Sequence, residues 1–381
     1  MKLPSWPEAG PRERELLEEV LDSPQWGGFH PIVERFEKSF AAYQDCRHGI
    51  AVANGTLTLE AMLSAVGIGP GDEVIVPAIS FVSTATAVSR VGATPVFVDI
   101  EELSFNLDPE RARAAVGPRT KALLVTHFGG PLADMDRLLE WTRERGVLLL
   151  EDAAHAHGSE WRGRRAGSFG LCASFSFQNG KVMTAGEGGI ITTNDDGLAE
   201  RLRSLVNQGR RKGHSFFHHF DLASNLRMTG LQAAVLVAQL ERLDDQTARR
   251  ARNAQLLREA LERTAGMRLQ SIPRELTRNS WYLFLGRIDA AEFGCTRDEF
   301  HQRLTAAGVP CTPFYPHPLY GNPLYLNGGC RVEPCPVAEA CIHDAFWLPH
   351  RVLLADDSAM AEIVDALRNA AHGPLHAGSR H

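Results

Sequence analysis

No stretch of this sequence approaches 18 consecutive apolar residues, so it offers no membrane-spanning helix. Excess positive charge is also missing. With 40 Lys and Arg against 46 Asp and Glu, the formal net charge is -6, which leaves no electrostatic footprint for nucleic acid or an anionic membrane surface. Cysteine is scarce: seven residues, an odd number thinly scattered, fit reduced thiols better than a disulfide framework. Their closest grouping, Cys330, Cys335 and Cys341 followed by His343 and His350, lacks the C-x2-C spacing that presents two thiolates to zinc. Loop and core thiols are expected there. "HSFFHHF" at 214–220 has no accompanying carboxylate or cysteine pattern and reads as a mobile surface loop, so no metal is expected. No G-x-G-x-x-G or P-loop follows an early strand, which disfavours a nucleotide-binding α/β protein. The opening "MKLPSWPEAGPRERELLEEV" has no apolar run of a secretory signal, and a cytoplasmic location is expected.

What is present is a regular alternation. The apolar runs "GDEVIVPA" (71–78), "TPVFVDI" (94–100), "KALLVTHF" (121–128) and "GVLLLEDA" (146–153) read as strands. Between them, "TLTLEAMLSAVG", "DPERARAAV" and "DMDRLLEWTRERG" carry helical periodicity. Strand-then-helix repetition predicts an α/β fold with a mostly parallel sheet covered on both faces. Beyond "GGIITTND" the pattern predicts one long helix from about Thr229 to Leu261, leading into a smaller α+β unit containing "NSWYLFLGRID" and "TRDEFHQRLTAAG". The expected division is a large domain over 1–245, a small C-terminal domain over 246–372, and a frayed tail over 373–381.

In such sheets ligands bind beyond the carboxyl ends of the strands. Three polar places fall there. Asn54, Gly55 and Thr56 in "ANGTLTLEAM" stand where a helix begins, either as a simple cap or as an anion site built from free backbone N–H groups. Asp152 ends the apolar run "LLLED". It either caps the following turn or faces a cation, because a buried carboxylate needs one. Lys181 lies in "FSFQNGKVMTAGEGG", a glycine-rich stretch between two short strands. It is a solvated turn lysine or, if desolvated, a free amine able to form a Schiff base. A phosphate cradle, an acid for a pyridinium nitrogen and a Schiff-base lysine are the three parts of a pyridoxal phosphate (PLP) site. All three occur in order.

With these segments in view, the sequence resembles the DegT/StrS-type PLP-dependent sugar and cyclitol aminotransferases, which have the aspartate aminotransferase fold. The likeness runs through "FEKSFAAY", "ANGTLTLEAM", "GDEVIVPAISFVSTATAV", "LLEDAAHAHG", "FSFQNGKVMTAGEGGIITTND" and "SNLRMTGLQAAVLVAQLERLD". It implies that Lys181 forms the Schiff base with PLP and that Asp152 pairs with the pyridine nitrogen. Gly55, Thr56 and Ser176 would hold the phosphate, and Phe81 would stack on the ring. His155 would lie near the phenolic oxygen. Asn225 would reach the phosphate of a neighbouring subunit, making a homodimer with shared sites. Phe81 reads equally as a core aromatic, and His155 as a satisfied buried histidine.

Some members of that family carry histidine in place of the lysine and act as sugar dehydratases; Lys181 favours transamination. The segments "FSFQNGKVMTAGEGG", "DAAHAHG" and "FWLPHRVLLA" are similar to the 3-amino-5-hydroxybenzoate synthase branch. "CTPFYPHPLYGNPLY" (311–325) is similar to the branch that aminates keto-inositols with glutamine or glutamate. The expectation is a ketosugar or ketocyclitol acceptor. A PLP-binding regulator without catalysis is the other class, disfavoured because no basic DNA-binding unit is added.

Overall fold

A computed structural model describes residues 3–372; the tail expected to fray, 373–381, lies outside them. The strands Glu73–Pro77, Thr94–Val98, Thr120–Thr126, Leu148–Asp152 and Cys172–Ser176 run parallel in one eight-stranded sheet. Gly189–Thr193 is antiparallel to its neighbours Cys172–Ser176 and His48–Val52. A two-residue strand, Arg331–Val332, closes the opposite edge beside Thr94–Val98. The fold is thus α/β and mostly parallel, as the alternation predicted.

Successive residues of a strand point to opposite faces, and here both faces are buried. Ile75, Val96, Val98, Leu123 and Val125 pack under Leu138, Trp141, Phe36 and Phe40. Their neighbours Val74, Val76, Phe97 and Leu124 pack with Leu59, Met62 and Val88 on the other side. Continuous apolar runs in the sequence are the direct result. Helix ends carry matching local signals. The Asn54 side chain accepts from the Leu57 N–H at the start of helix Gly55–Ala65. Helix Met135–Arg145 is capped by Asp134 and stops at Gly146, whose φ of 65° suits glycine.

The expected single helix from Thr229 to Leu261 is two helices, Gly230–Glu241 and Leu243–Leu261, interrupted at Arg242 (φ -111°, ψ 1°). The first begins with a capping box between Thr229 and Gln232, a local signal that periodicity alone passes over. Downstream, Met267–Leu269, Leu283–Ile288, Ala345–Pro349 and Thr312–Pro313 form a four-stranded antiparallel sheet over its own apolar cluster, which includes Leu257, Phe284, Phe300, Phe346 and Ile363. Leu276–Arg278 reaches back to pair with Glu160–Trp161 in a small separate sheet, and Arg331–Val332 joins the large one, so the C-terminal part is tied to the N-terminal part at two places.

Candidate active site

The large sheet delivers five chain segments to one end. The strand His48–Val52 points the same way as the parallel set, so Gly55 and Thr56 emerge beside Ser80, Thr126, Asp152 and Ser176 at the carboxyl ends of their strands. A cavity of about 770 Å³ opens there. That is within the range of roughly 300–1,000 Å³ typical of cofactor and ligand clefts. It is lined by Asn54 and by Gly55, Thr56, Phe81, Asp152, His155, Ser176 and Lys181, seven of the eight residues that the resemblance assigned to the site.

The eighth, Asn225, lies elsewhere: it is exposed, its Oδ1 accepts from the Arg227 N–H, and its backbone bridges Asn207. Phe81 is 57% exposed on the rim, so it is not the core aromatic that its apolar surroundings also suggested. His155 is buried, and its Nδ1 accepts from the Gly129 N–H, which leaves its proton on Nε2. The histidine-rich stretch 214–220 is exposed loop, and among the described residues no group of His, Cys, Asp and Glu could hold a metal ion.

Lys181 sits in the loop joining the antiparallel strands Cys172–Ser176 and Gly189–Thr193. Its N–H donates to the Gln178 carbonyl, and its side chain turns inward, 9% exposed. Burial lowers its pKa to about 8, against the attraction of Asp152, which works the other way. Asp152 is 5% exposed. Burial raises its carboxyl, opposed by the Thr84 hydroxyl, which donates to Oδ2 at 2.7 Å, and by the charge of Lys181. His155 is held neutral, first by burial and then by the nearby lysine.

The helix start adjoining this pair is open. The Asn54 side chain takes the Leu57 N–H, leaving the N–H groups of Gly55 and Thr56 as free donors at the positive end of the helix. Gly55 has to be glycine: a Cβ there would stand 2.6 Å from the Ser176 Cβ. Hydroxyls of Thr56, Ser83 and Ser176 surround the same spot, with Thr56 Oγ1 and Ser83 Oγ 2.8 Å apart. A phosphate at the helix start, a protonated ring nitrogen at Asp152 and a carbonyl carbon at Lys181 match the three donor sets, so the residues present fit PLP.

The outer wall was not legible in the sequence. Tyr282, Tyr315 and Trp347 come from the C-terminal half and close the cavity opposite the large sheet. His155 packs against Tyr282 with centroids 4.2 Å apart, and Tyr315 meets Trp347 edge-on at 5.4 Å.

Residues 7–368 match the DegT/DnrJ/EryC1/StrS aminotransferase family. GDP-perosamine synthase of Caulobacter vibrioides is 40% identical over 91% of this chain and 93% of its own. L-glutamine:2-deoxy-scyllo-inosose aminotransferase of Streptoalloteichus tenebrarius is 36% identical, covering 98% and 96%. The crystal structure of 3-amino-5-hydroxybenzoic acid synthase superposes with a TM-score of 0.91 at 38% identity, over 97% of this chain and 98% of that one.

Proposed function

We propose that this chain, which belongs to the DegT/DnrJ/EryC1/StrS aminotransferase family and is a PLP-dependent aminotransferase, moves an amino group from L-glutamine or L-glutamate to a cyclic polyhydroxy ketone, a ketosugar or ketocyclitol. One observation carries the reading: Lys181 and Asp152 line one cavity, with burial lowering the lysine's pKa to about 8. The relatives named for a scyllo-inosose acceptor and for GDP-perosamine support the acceptor class.

PLP, when bound, supplies an electrophilic carbon for amines and a sink for the electron pair left when a proton departs the substrate carbon. The chain's own groups do the rest. Lys181 Nζ anchors the cofactor and then carries the proton away from the donor's carbon and back to the acceptor's. Asp152, ionised, holds a proton on the ring nitrogen. Gly55, Thr56 and Ser176 bind the phosphate, and Phe81 and His155 fix the plane of the ring. Tyr282, Tyr315 and Trp347 exclude water and offer flat walls to a ring-shaped acceptor.

In this reading residues 1–245 hold the cofactor, the enzyme works in the cytoplasm, and Asn225 acts from a partner subunit across a homodimer. Its exposure and its absence from the lining of its own cavity support that placement. The likeness to 3-amino-5-hydroxybenzoic acid synthase favours a second reading, dehydration and aromatisation of an amino acid ring. Purified holoenzyme mixed with L-glutamine decides the first point, since transamination changes its visible absorption. Offering a keto-inositol, a nucleotide-linked ketosugar and an aminoshikimate-type acid in parallel decides the second. Reaction of the acid alone replaces our acceptor assignment.

A further inference from the structure

Behind Asp152 runs a file of three buried hydroxyls. Thr84 Oγ1 lies 2.7 Å from Asp152 Oδ2, Ser80 Oγ lies 2.7 Å from Thr84 Oγ1, and Thr126 Oγ1 lies 3.2 Å from Ser80 Oγ. None of the three side chains has another hydrogen-bond partner among the described residues. They come from three elements: the helix Ser83–Arg90, the turn after strand Glu73–Pro77, and the end of strand Thr120–Thr126. Thr84 is wholly buried, and Ser80 and Thr126 are each 3% exposed where they meet the cavity.

Each hydroxyl has one proton to give. A carboxylate can only accept, so Thr84 spends its proton on Asp152 and must accept from Ser80, which in turn accepts from Thr126. All three O–H groups therefore point one way, toward the carboxylate, and aligned donors strengthen one another. The other carboxylate oxygen, Oδ1, accepts from the Ala154 N–H at a longer 3.3 Å, and is the freer of the two.

We propose that Thr84, backed by Ser80 and Thr126, is a positioning residue for the cofactor: it fixes Asp152 by Oδ2, keeps it ionised, and leaves Oδ1 for the ring nitrogen. This rests on the reading of Asp152 as the partner of that nitrogen. Other titratable groups feel the same charge. Lys181 and His127 favour the ionised carboxylate, and Tyr315 answers to it, so the hydroxyl file adds to their field and does not replace it. Removing a hydrogen bond to the charged form raises a carboxyl pKa, so more alkaline conditions are needed to keep Asp152 ionised.

The test compares Thr84→Val, which deletes the hydroxyl at nearly constant shape, with Thr84→Ser, which keeps it. Titration of apoprotein with PLP should show affinity weakened about tenfold or more in Thr84→Val, the scale of a lost hydrogen bond to a charge. The acid limb of kcat should move up by about one pH unit. Thr84→Ser should restore both to within about twofold. Equal damage by Thr84→Val and Thr84→Ser, or native affinity and an unmoved acid limb in Thr84→Val, overturns the proposal. Ser80→Ala, one bond further away, should shift the acid limb less but in the same direction, and serves if Thr84→Val does not fold; an unmoved limb there also counts against the file. Asp152→Asn separates the two ideas. If it binds PLP like the native protein, the assignment of Asp152 fails; if it binds poorly while Thr84→Val binds normally, only the hydroxyl file fails.

Discussion

The ammonium nitrogen of Lys181 lies over the ring of Tyr282, 4.7 Å from its centroid. An aromatic face favours the charged amine by roughly 0.5–2 kcal/mol. Burial disfavours it more strongly and outweighs the charge of Asp152, which leaves the pKa at about 8, below the ordinary value of 10.5. Only the neutral amine attacks a carbonyl carbon. Uptake of PLP by apoprotein should therefore slow about tenfold for each pH unit below 8 and level off above it. A rate that keeps climbing to pH 10, followed by the absorbance of bound PLP, contradicts the lowered value.

The same shift sets a stability dependence. The folded amine has a pKa of about 8, below its unfolded value of 10.5, so between these limits the unfolded chain binds more protons and stability rises with pH. Below pH 8 the buried ammonium costs on the order of 3 kcal/mol. Apoprotein bearing Lys181→Met should be more stable than the native apoprotein at pH 7, and the gap should close as pH rises through this window. Denaturant melts at pH 7 and pH 10 measure it, and an equal gap at both contradicts the account.

Lys181→Ala removes the anchor and the proton carrier together. Borohydride should no longer fix PLP to the chain, and turnover should fall by about 10³-fold or more. Near-native turnover refutes the assignment.

Asp152→Asn keeps the shape and removes the charge. Cofactor binding should weaken yet persist, while kcat falls by about 10²-fold or more. An unchanged kcat speaks against a proton held on the ring nitrogen.

For the shared site, Lys181→Ala and Asn225→Ala chains are refolded together. A mixed dimer then has one site with both lesions and one with neither, so random pairing should restore about a quarter of native activity. Mixtures that stay inactive, although heterodimers form and Asn225→Ala alone is impaired, exclude sharing.

Strand ends made much of the site readable. Asp152 was visible because a carboxylate ending an apolar strand needs either a turn to cap or a cation, and Lys181 because glycines flank it between two apolar strands. Gly55 and Thr56 were visible as a helix start, and the structure brings all four to one cavity. Thr84, Ser80 and Thr126 were not, because a hydroxyl has no distinctive spacing and these three meet only when the strands align. Tyr282, Tyr315 and Trp347 belong to sequence 100 or more residues beyond Lys181, where aromatic residues read as ordinary core. The break at Arg242 escaped because both helices keep apolar faces on either side of it.

The edge strand Arg331–Val332 ties the order of synthesis to the finished sheet. The seven other strands are complete once residue 193 has been made, yet their outer edge beside Thr94–Val98 stays bare until Arg331 arrives to pair with it and to bind Glu73 and the Ala115 carbonyl. A nascent chain therefore carries an unpaired parallel edge through the translation of nearly 140 more residues, at about 5–20 residues per second. Until then that rim offers unpaired backbone groups to other strands, and the finished chain covers it with Arg331–Val332.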